Sequence, residues 1–169
     1  MKFLIIDDHA IVRKGLSQLL KEEFPAAVIE EAGDSADVYA KVRSGIWDVI
    51  LLDISMPGRS GMDILKQLRS EGIKAPVLML SMHPEDQYAL RALKAGASGF
   101  LNKDAANEEL IAAIHKVLAG RKYISAALAE KLAEGATGSD RPAYENLSDR
   151  EMQVLQLLAS GKTVSEVAE

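Results

Sequence analysis

Five short apolar runs punctuate the N-terminal part of the chain: KFLII at 2–6, AVIEEA at 27–32, DVILLD at 48–53, PVLMLS at 76–81 and GFLN at 99–102. Between them, apolar residues fall at helical spacing. Val12, Leu16, Leu19 and Leu20 stand at i, i+4, i+7 and i+8, and Leu110, Ile114, Val117 and Leu118 repeat that pattern. Strand–helix alternation of this kind predicts a parallel sheet with helices on both faces, a doubly wound (βα)5 unit ending near Gly120. Ser125–Glu134 reads as a short helix, and residues 136–146 collect Gly, Ser, Asp and Pro in the manner of a linker. In LSDREM, Ser148 is placed to cap a new helix. Glu151 completes the capping box, and Leu147 and Met152 form the staple around it. Gly161 ends that helix, and Thr163 with Glu166 starts another just before Glu169. Three regions are therefore expected: 1–120, a linker at 121–146, and the first helices of an all-α unit at 147–169.

Composition narrows the class. The chain has 169 residues, 48% apolar and 27% charged, as expected of one globular domain and part of a second. No apolar run approaches the roughly 20 residues that a membrane helix needs, and the N-terminus lacks a cleavage-site pattern. Cysteine is absent, which excludes disulfides and thiolate metal sites. A cytoplasmic protein without membrane attachment is expected. The net charge of −5 disfavours a generally basic nucleic-acid binder.

The chemistry gathers at the strand ends. Strand one runs into Asp7 and Asp8, strand three ends in Asp53, strand four in Ser81, and strand five leads to Lys103. Strand two ends in Ala32-Gly33 with nothing reactive. In the order 2-1-3-4-5 three carboxylates meet at the switch point, a hydroxyl and an ammonium join them, and the idle strand falls at the edge. Acids at this density suit Mg²⁺, which prefers oxygen ligands and keeps several waters. Such a pocket can hold a phosphoryl group, and a carboxylate within it can act as nucleophile. Asp53 is the candidate because it stands between the acid pair and the Ser81–Lys103 side. Taken singly, each piece has a plainer reading: a solvated loop start, a Pro-Gly turn, a helix cap, a surface lysine, a core phenylalanine.

Residues 1–120 resemble a response-regulator receiver domain, through DD after strand one, LLDISMPGRSG around Asp53, LMLS at strand four and ALKAGASGFLNK at strand five. LSDREMQVLQLLASGKTVSEVA resembles the opening of a LuxR-type helix-turn-helix, so the whole is similar to regulators of the NarL/FixJ type. The resemblance implies a flavodoxin-like fold and a two-component regulator whose Asp53 accepts a phosphoryl group from a sensor histidine kinase. It also implies Mg²⁺ held by Asp8, Asp53 and the main-chain carbonyl of Ser55, with Asp7 acting through water. Lys103, Ser81 and the main chain of Met82 would hold the phosphoryl group. Ser81 and Phe100 would form the switch, the hydroxyl swinging toward phosphate and the ring moving inward. A homodimer on phosphorylation is a further implied partner.

Some positions depart from the family pattern. Met82 follows Ser81 where a small residue is common, and its bulk is expected to narrow access to Asp53 and slow phosphoryl loss. Asp104 follows Lys103 where proline is frequent, leaving that bond trans or the loop strained. Phe100 replaces a common tyrosine, and Val164 a usual polar residue. The helix that would enter the major groove is not in this sequence. Residues 124–169 carry four Lys or Arg against eight Asp or Glu, so this chain is expected to bind DNA weakly or not at all. The sequence reads as a fragment of a longer regulator, with DNA bound through the full-length output domain. Two rivals remain. A Mg²⁺-dependent aspartate-nucleophile phosphatase would carry an acid two residues after Asp53, where Ser55 stands. A phosphorylation-independent binding module would keep only the scaffold.

Overall fold

The computed structural model describes residues 1–82, 85–104, 106–126 and 128–130. The elements alternate without exception: β1 (Lys2–Ile6), α1 (Ala10–Glu23), β2 (Val28–Ala32), α2 (Ser35–Ser44), β3 (Val49–Asp53), α3 (Gly61–Ser70), β4 (Val77–Ser81), α4 (Glu85–Lys94), β5 (Gly99–Asn102) and α5 (Ala106–Leu118). The five strands form one parallel sheet in the order β2-β1-β3-β4-β5. The order predicted from the strand ends is therefore the observed one, with β2 at the edge. β2, β3 and β4 each begin one residue later than the apolar runs suggest.

Continuous apolar runs mark the central strands because both faces of the sheet are covered. Every residue of β3 and β4 is buried. Phe3, Ile5, Val49, Leu51, Leu78, Leu80 and Leu101 pack with Leu16 and Leu20 of α1 and Leu110, Ala113, Ile114 and Val117 of α5. The alternate positions Leu4, Ile6, Ile50, Leu52, Met79 and Phe100 are buried as well, and the pleat sends them to the other face. Right-handed crossovers in this strand order bring α2, α3 and α4 to that second face. Their buried residues there include Val38, Val42, Met62, Leu65, Leu68 and Ala89.

Helix starts follow local chemistry. Asp34 caps α2 by accepting from the Asp37 N–H at 2.9 Å, and Ser60 caps α3 by accepting from the Met62 N–H at 3.2 Å. The predicted apolar stripe of α5 is corrected at one position. Leu118 is 37% exposed, and the small Ala113 takes the inward place. The stripe drifts because 3.6 residues per turn carries the last position of the repeat around the helix.

Beyond Gly120 the chain stays with the sheet. Tyr123 forms a single parallel bridge to Gly99, donates its N–H to the Ser98 carbonyl at 2.9 Å, and donates its hydroxyl to Glu109 at 2.6 Å. Ser125 caps the start of the predicted short helix, its hydroxyl accepting from the Leu128 N–H at 3.1 Å, and the end of that helix at 131–134 lies outside the described residues. The compact unit accordingly runs from Met1 to Glu130, with a second unit over Lys131–Glu169. The predicted linker at 136–146 and the capping boxes at Ser148 and Thr163 lie outside the described residues. Among the described residues, no helix is long and apolar enough to cross a membrane.

Candidate functional site

Four strands deliver their ends to one place. Asp7 directly follows β1, Asp53 closes β3, Ser81 closes β4 and Lys103 follows β5. Main-chain bonds hold these ends in step. Asp7 N–H donates to Ala32 O at 3.2 Å, Ile54 N–H to Leu80 O at 2.9 Å, and Lys103 N–H to Ser81 O at 2.8 Å. The sheet register, with Asp53 opposite Leu80 and Ser81 opposite Asn102, therefore fixes the side chains relative to one another.

Lys103 is the centre of charge. Its Nζ lies 2.6 Å from Asp7 Oδ2 and 2.9 Å from Asp53 Oδ2, and all three side chains are almost wholly enclosed. Burial alone would lower the lysine pKa, but hydrogen bonds and charge from Asp7 and Asp53 outweigh it and the net shift is upward. Asp53 shifts upward too. Desolvation raises its pKa and repulsion from Asp7 adds to it, while Lys103 and the Ser55 N–H pull the other way. One ammonium thus serves two buried carboxylates, and Asp8 stands next to them. Asp7, Asp8, His9 and Asp53 each offer a ligand atom, and these atoms all lie within 4.8 Å of one another. The donor set, mostly carboxylate and short of positive charge, fits a small divalent cation.

The two acids differ in their contacts. Both oxygens of Asp7 are committed, Oδ1 to the His9 N–H at 2.8 Å and Oδ2 to Lys103. Its carbonyl accepts from Arg13 Nη1 at 2.6 Å, and Arg13 also reaches Glu31 at 3.3 Å. Asp8 is partly open to solvent, and its Oδ1 lies 2.8 Å from His9 Nδ1. The main chain after Asp53 turns so that Asp53 Oδ1 accepts from the Ser55 N–H at 3.2 Å. α3 then returns tightly against the strand end, Gly61 donating its N–H to Ile54 O at 2.8 Å. A Cβ at position 61 would stand 2.0 Å from the Asp53 carbonyl oxygen, so only glycine allows this approach.

Ser81 and Phe100 are both fully buried. The ring already occupies an interior position, so the inward movement implied by the resemblance would begin from inside the core. Met82 is 60% exposed, its side chain directed largely into solvent. The Lys103–Asp104 bond is trans, since no cis peptide occurs among the described residues. Asp104 N–H donates to Asn102 Oδ1 at 2.9 Å, a side-chain turn that holds the loop without proline. Three residues of the site have no role assigned from the sequence: His9, Arg13 and Gly61. The string DDH was the available signal for the first. Gly61 closes the LLDISMPGRSG string, but its need for a bare α-carbon, like the role of Arg13, depends on how α3 and α1 dock.

A five-stranded doubly wound sheet with an acid cluster and a lysine at its carboxyl end defines the receiver class. Comparison with known proteins agrees over the whole chain. The response regulator receiver domain family matches residues 3–115, and the luxR family of bacterial regulatory proteins matches residues 145–169. The chain belongs to the response-regulator receiver family and is a two-component response regulator with a receiver domain and a LuxR-type DNA-binding domain. Response regulator UvrY of Escherichia coli (strain K12) is 31% identical, the match covering 98% of this chain and 77% of UvrY. Oxygen regulatory protein NreC of Staphylococcus carnosus (strain TM300) is 34% identical, covering 100% of this chain and 82% of NreC. The crystal structure of a LuxR-family two-component response regulator from Aurantimonas sp. SI85-9A1 is similar with a TM-score of 0.74. It is 33% identical and covers 81% of this chain and 98% of that one.

Proposed function

We propose that Asp53 is the phosphoryl acceptor and that a sensor histidine kinase is the donor. A carboxylate oxygen of Asp53 attacks phosphorus, an O–P bond forms, and the donor's P–N bond breaks as its imidazole leaves. Asp8, Asp53 and the main-chain carbonyl of Ser55 would hold Mg²⁺, with Asp7 acting through water. The ion would offset charge on the phosphoryl oxygens. Lys103 pairs with an oxygen that replaces one of its carboxylate contacts. The Ser81 hydroxyl and the Met82 N–H complete the cradle, and Ser81 with Phe100 relays the change. A hydroxyl that gains a charge-assisted hydrogen bond gains about 1–3 kcal/mol, enough to move a two-state equilibrium tenfold or more.

One observation carries this reading. Asp53 is buried, centrally placed and 2.9 Å from the Lys103 ammonium, in a cluster that has more carboxylates than cations among the described residues. Around that event we place a receiver at 1–120, a linker at 121–146, of which residues 121–130 pack with the receiver unit, and part of a helix-turn-helix at 147–169. The protein would act in the cytoplasm as a stoichiometric switch rather than a turnover catalyst, dimerising on phosphorylation. DNA would be bound through a full-length output domain, and weakly or not at all by this acidic stretch alone. Intact mass spectrometry with a small phosphodonor and Mg²⁺ tests the chemistry. A single phosphoryl adduct that disappears in Asp53→Asn is expected. An adduct that persists in that variant, or release of phosphate well beyond one equivalent, overturns it.

A further inference from the structure

The phosphoryl-transfer reading leaves one side chain of the pocket without a role. His9 follows the acid pair, and its main-chain N–H donates to Asp7 Oδ1 at 2.8 Å, a turn that brings the imidazole back over the carboxylates. Nδ1 lies 3.2 Å from Asp7 Oδ1, within hydrogen-bonding geometry. It also lies 2.8 Å from Asp8 Oδ1, an ion pair when the ring is protonated. A ring nitrogen that carries no proton is a ligand like the carboxylate oxygens beside it, and His9 offers one ligand atom within 4.8 Å of those of Asp7, Asp8 and Asp53. Neighbouring ligands of an octahedral ion at about 2.1 Å stand about 3 Å apart. The 2.8 Å spacing of Nδ1 from Asp8 Oδ1 is close to that edge.

We propose that His9 Nδ1 is a ligand to the cation held by Asp8 and Asp53, so that the pocket prefers a late first-row divalent ion such as Co²⁺ over Mg²⁺. The proposal rests on the reading of Asp8 and Asp53 as cation ligands. Mg²⁺ gains little from an imidazole, whereas later transition ions bind it well. The ring is free to turn, since its side chain is 63% exposed. It also stands at the Oδ1 edge of Asp7, away from the Oδ2 edge where Lys103 sits, and so leaves the phosphoryl side open.

The test uses Co²⁺ and Mg²⁺ as chloride salts, titrated calorimetrically into the full chain, with proton NMR of the Co²⁺-loaded protein. Co²⁺ is expected to bind at least about tenfold tighter than Mg²⁺. The loaded protein should show an exchangeable, strongly shifted imidazole N–H resonance. His9→Gln should abolish that resonance and lower the Co²⁺-to-Mg²⁺ preference about tenfold. His115→Gln, which changes the histidine paired with Glu23 on α5, should leave the resonance in place. A Co²⁺-loaded protein without the resonance, or a preference unchanged in His9→Gln, overturns the proposal. If both ions still bind and Asp53 still takes up one phosphoryl group, only the role of His9 falls. If Asp8→Asn and Asp53→Asn leave both affinities untouched, the reading of the carboxylates falls with it.

Discussion

Arg43 meets Glu71 on the solvent side of α2 and α3, and Lys103 meets Asp7 and Asp53 at the enclosed end of the sheet. The first is a two-pronged pair at 2.6 and 2.9 Å, one cation to one anion. Gln67 adds a hydrogen bond at 2.8 Å, and the Tyr39 ring lies 5.8 Å from the Arg43 guanidinium and 5.5 Å from that of Arg59. Hydrogen bonds from Arg43 and Gln67 draw the Glu71 carboxyl down to about 2. Every partner in that group is supplied by the chain itself. In the second, one ammonium is divided between two buried carboxylates with a third alongside, and the Asp53 carboxyl moves up rather than down. The same side-chain chemistry thus makes a closed, self-satisfied contact at the surface and an open, charge-deficient one in the interior. A site that must accept a ligand has to remain incomplete without it.

Breaking the interior cluster should have the largest effect. Lys103→Met leaves two enclosed carboxylates without a counter-charge, and removal of one partner from a buried ionic group costs about 3–5 kcal/mol. Urea denaturation in chelator should show that loss, and added Mg²⁺ should recover part of it. A loss below about 1 kcal/mol would place the two carboxylates in contact with water.

A smaller change of opposite sign is expected from Asp53→Asn in metal-free buffer. The folded pKa of Asp53 lies above its unfolded value, so the native state binds the proton more tightly. Ionisation as pH rises through that interval therefore weakens folding. The neutral amide should melt higher than wild type at neutral pH, and the gap should close as pH falls toward the unfolded carboxyl value. A gap that widens on acidification would mean that Lys103 stabilises the Asp53 charge more than burial opposes it. The surface pair should respond least. Glu71→Gln should shift the melting temperature only slightly, and the difference should vanish in about 1 M salt, where exposed charges are screened.

How much was legible before the fold was known follows the same division. The strands could be read because an apolar run bounded by charge is the necessary pattern of a strand covered on both faces. Asp7, Asp8, Asp53, Ser81 and Lys103 could be read for a related reason. In this strand order the residue that ends a central strand has only the crevice to point into. Tyr123 could not, since a bridge of one residue to Gly99 has no periodicity to betray it. Nor could Gly61, whose need for a bare α-carbon appears only once α3 is laid against the Asp53 carbonyl.

Local physics was enough to settle which elements form, where they stop and which reactive groups stand at their ends, because burial and strand period act over a few neighbouring residues. The assignment of partners was decided by tertiary structure alone. Asp7 and Asp8 are chemically identical neighbours. Only the docking of β1 between β2 and β3 gives one of them to Lys103, with both its oxygens occupied, and leaves the other facing the pocket with His9 beside it. Pairing of charges depends on distances between strands remote in sequence, and those exist only in the folded sheet.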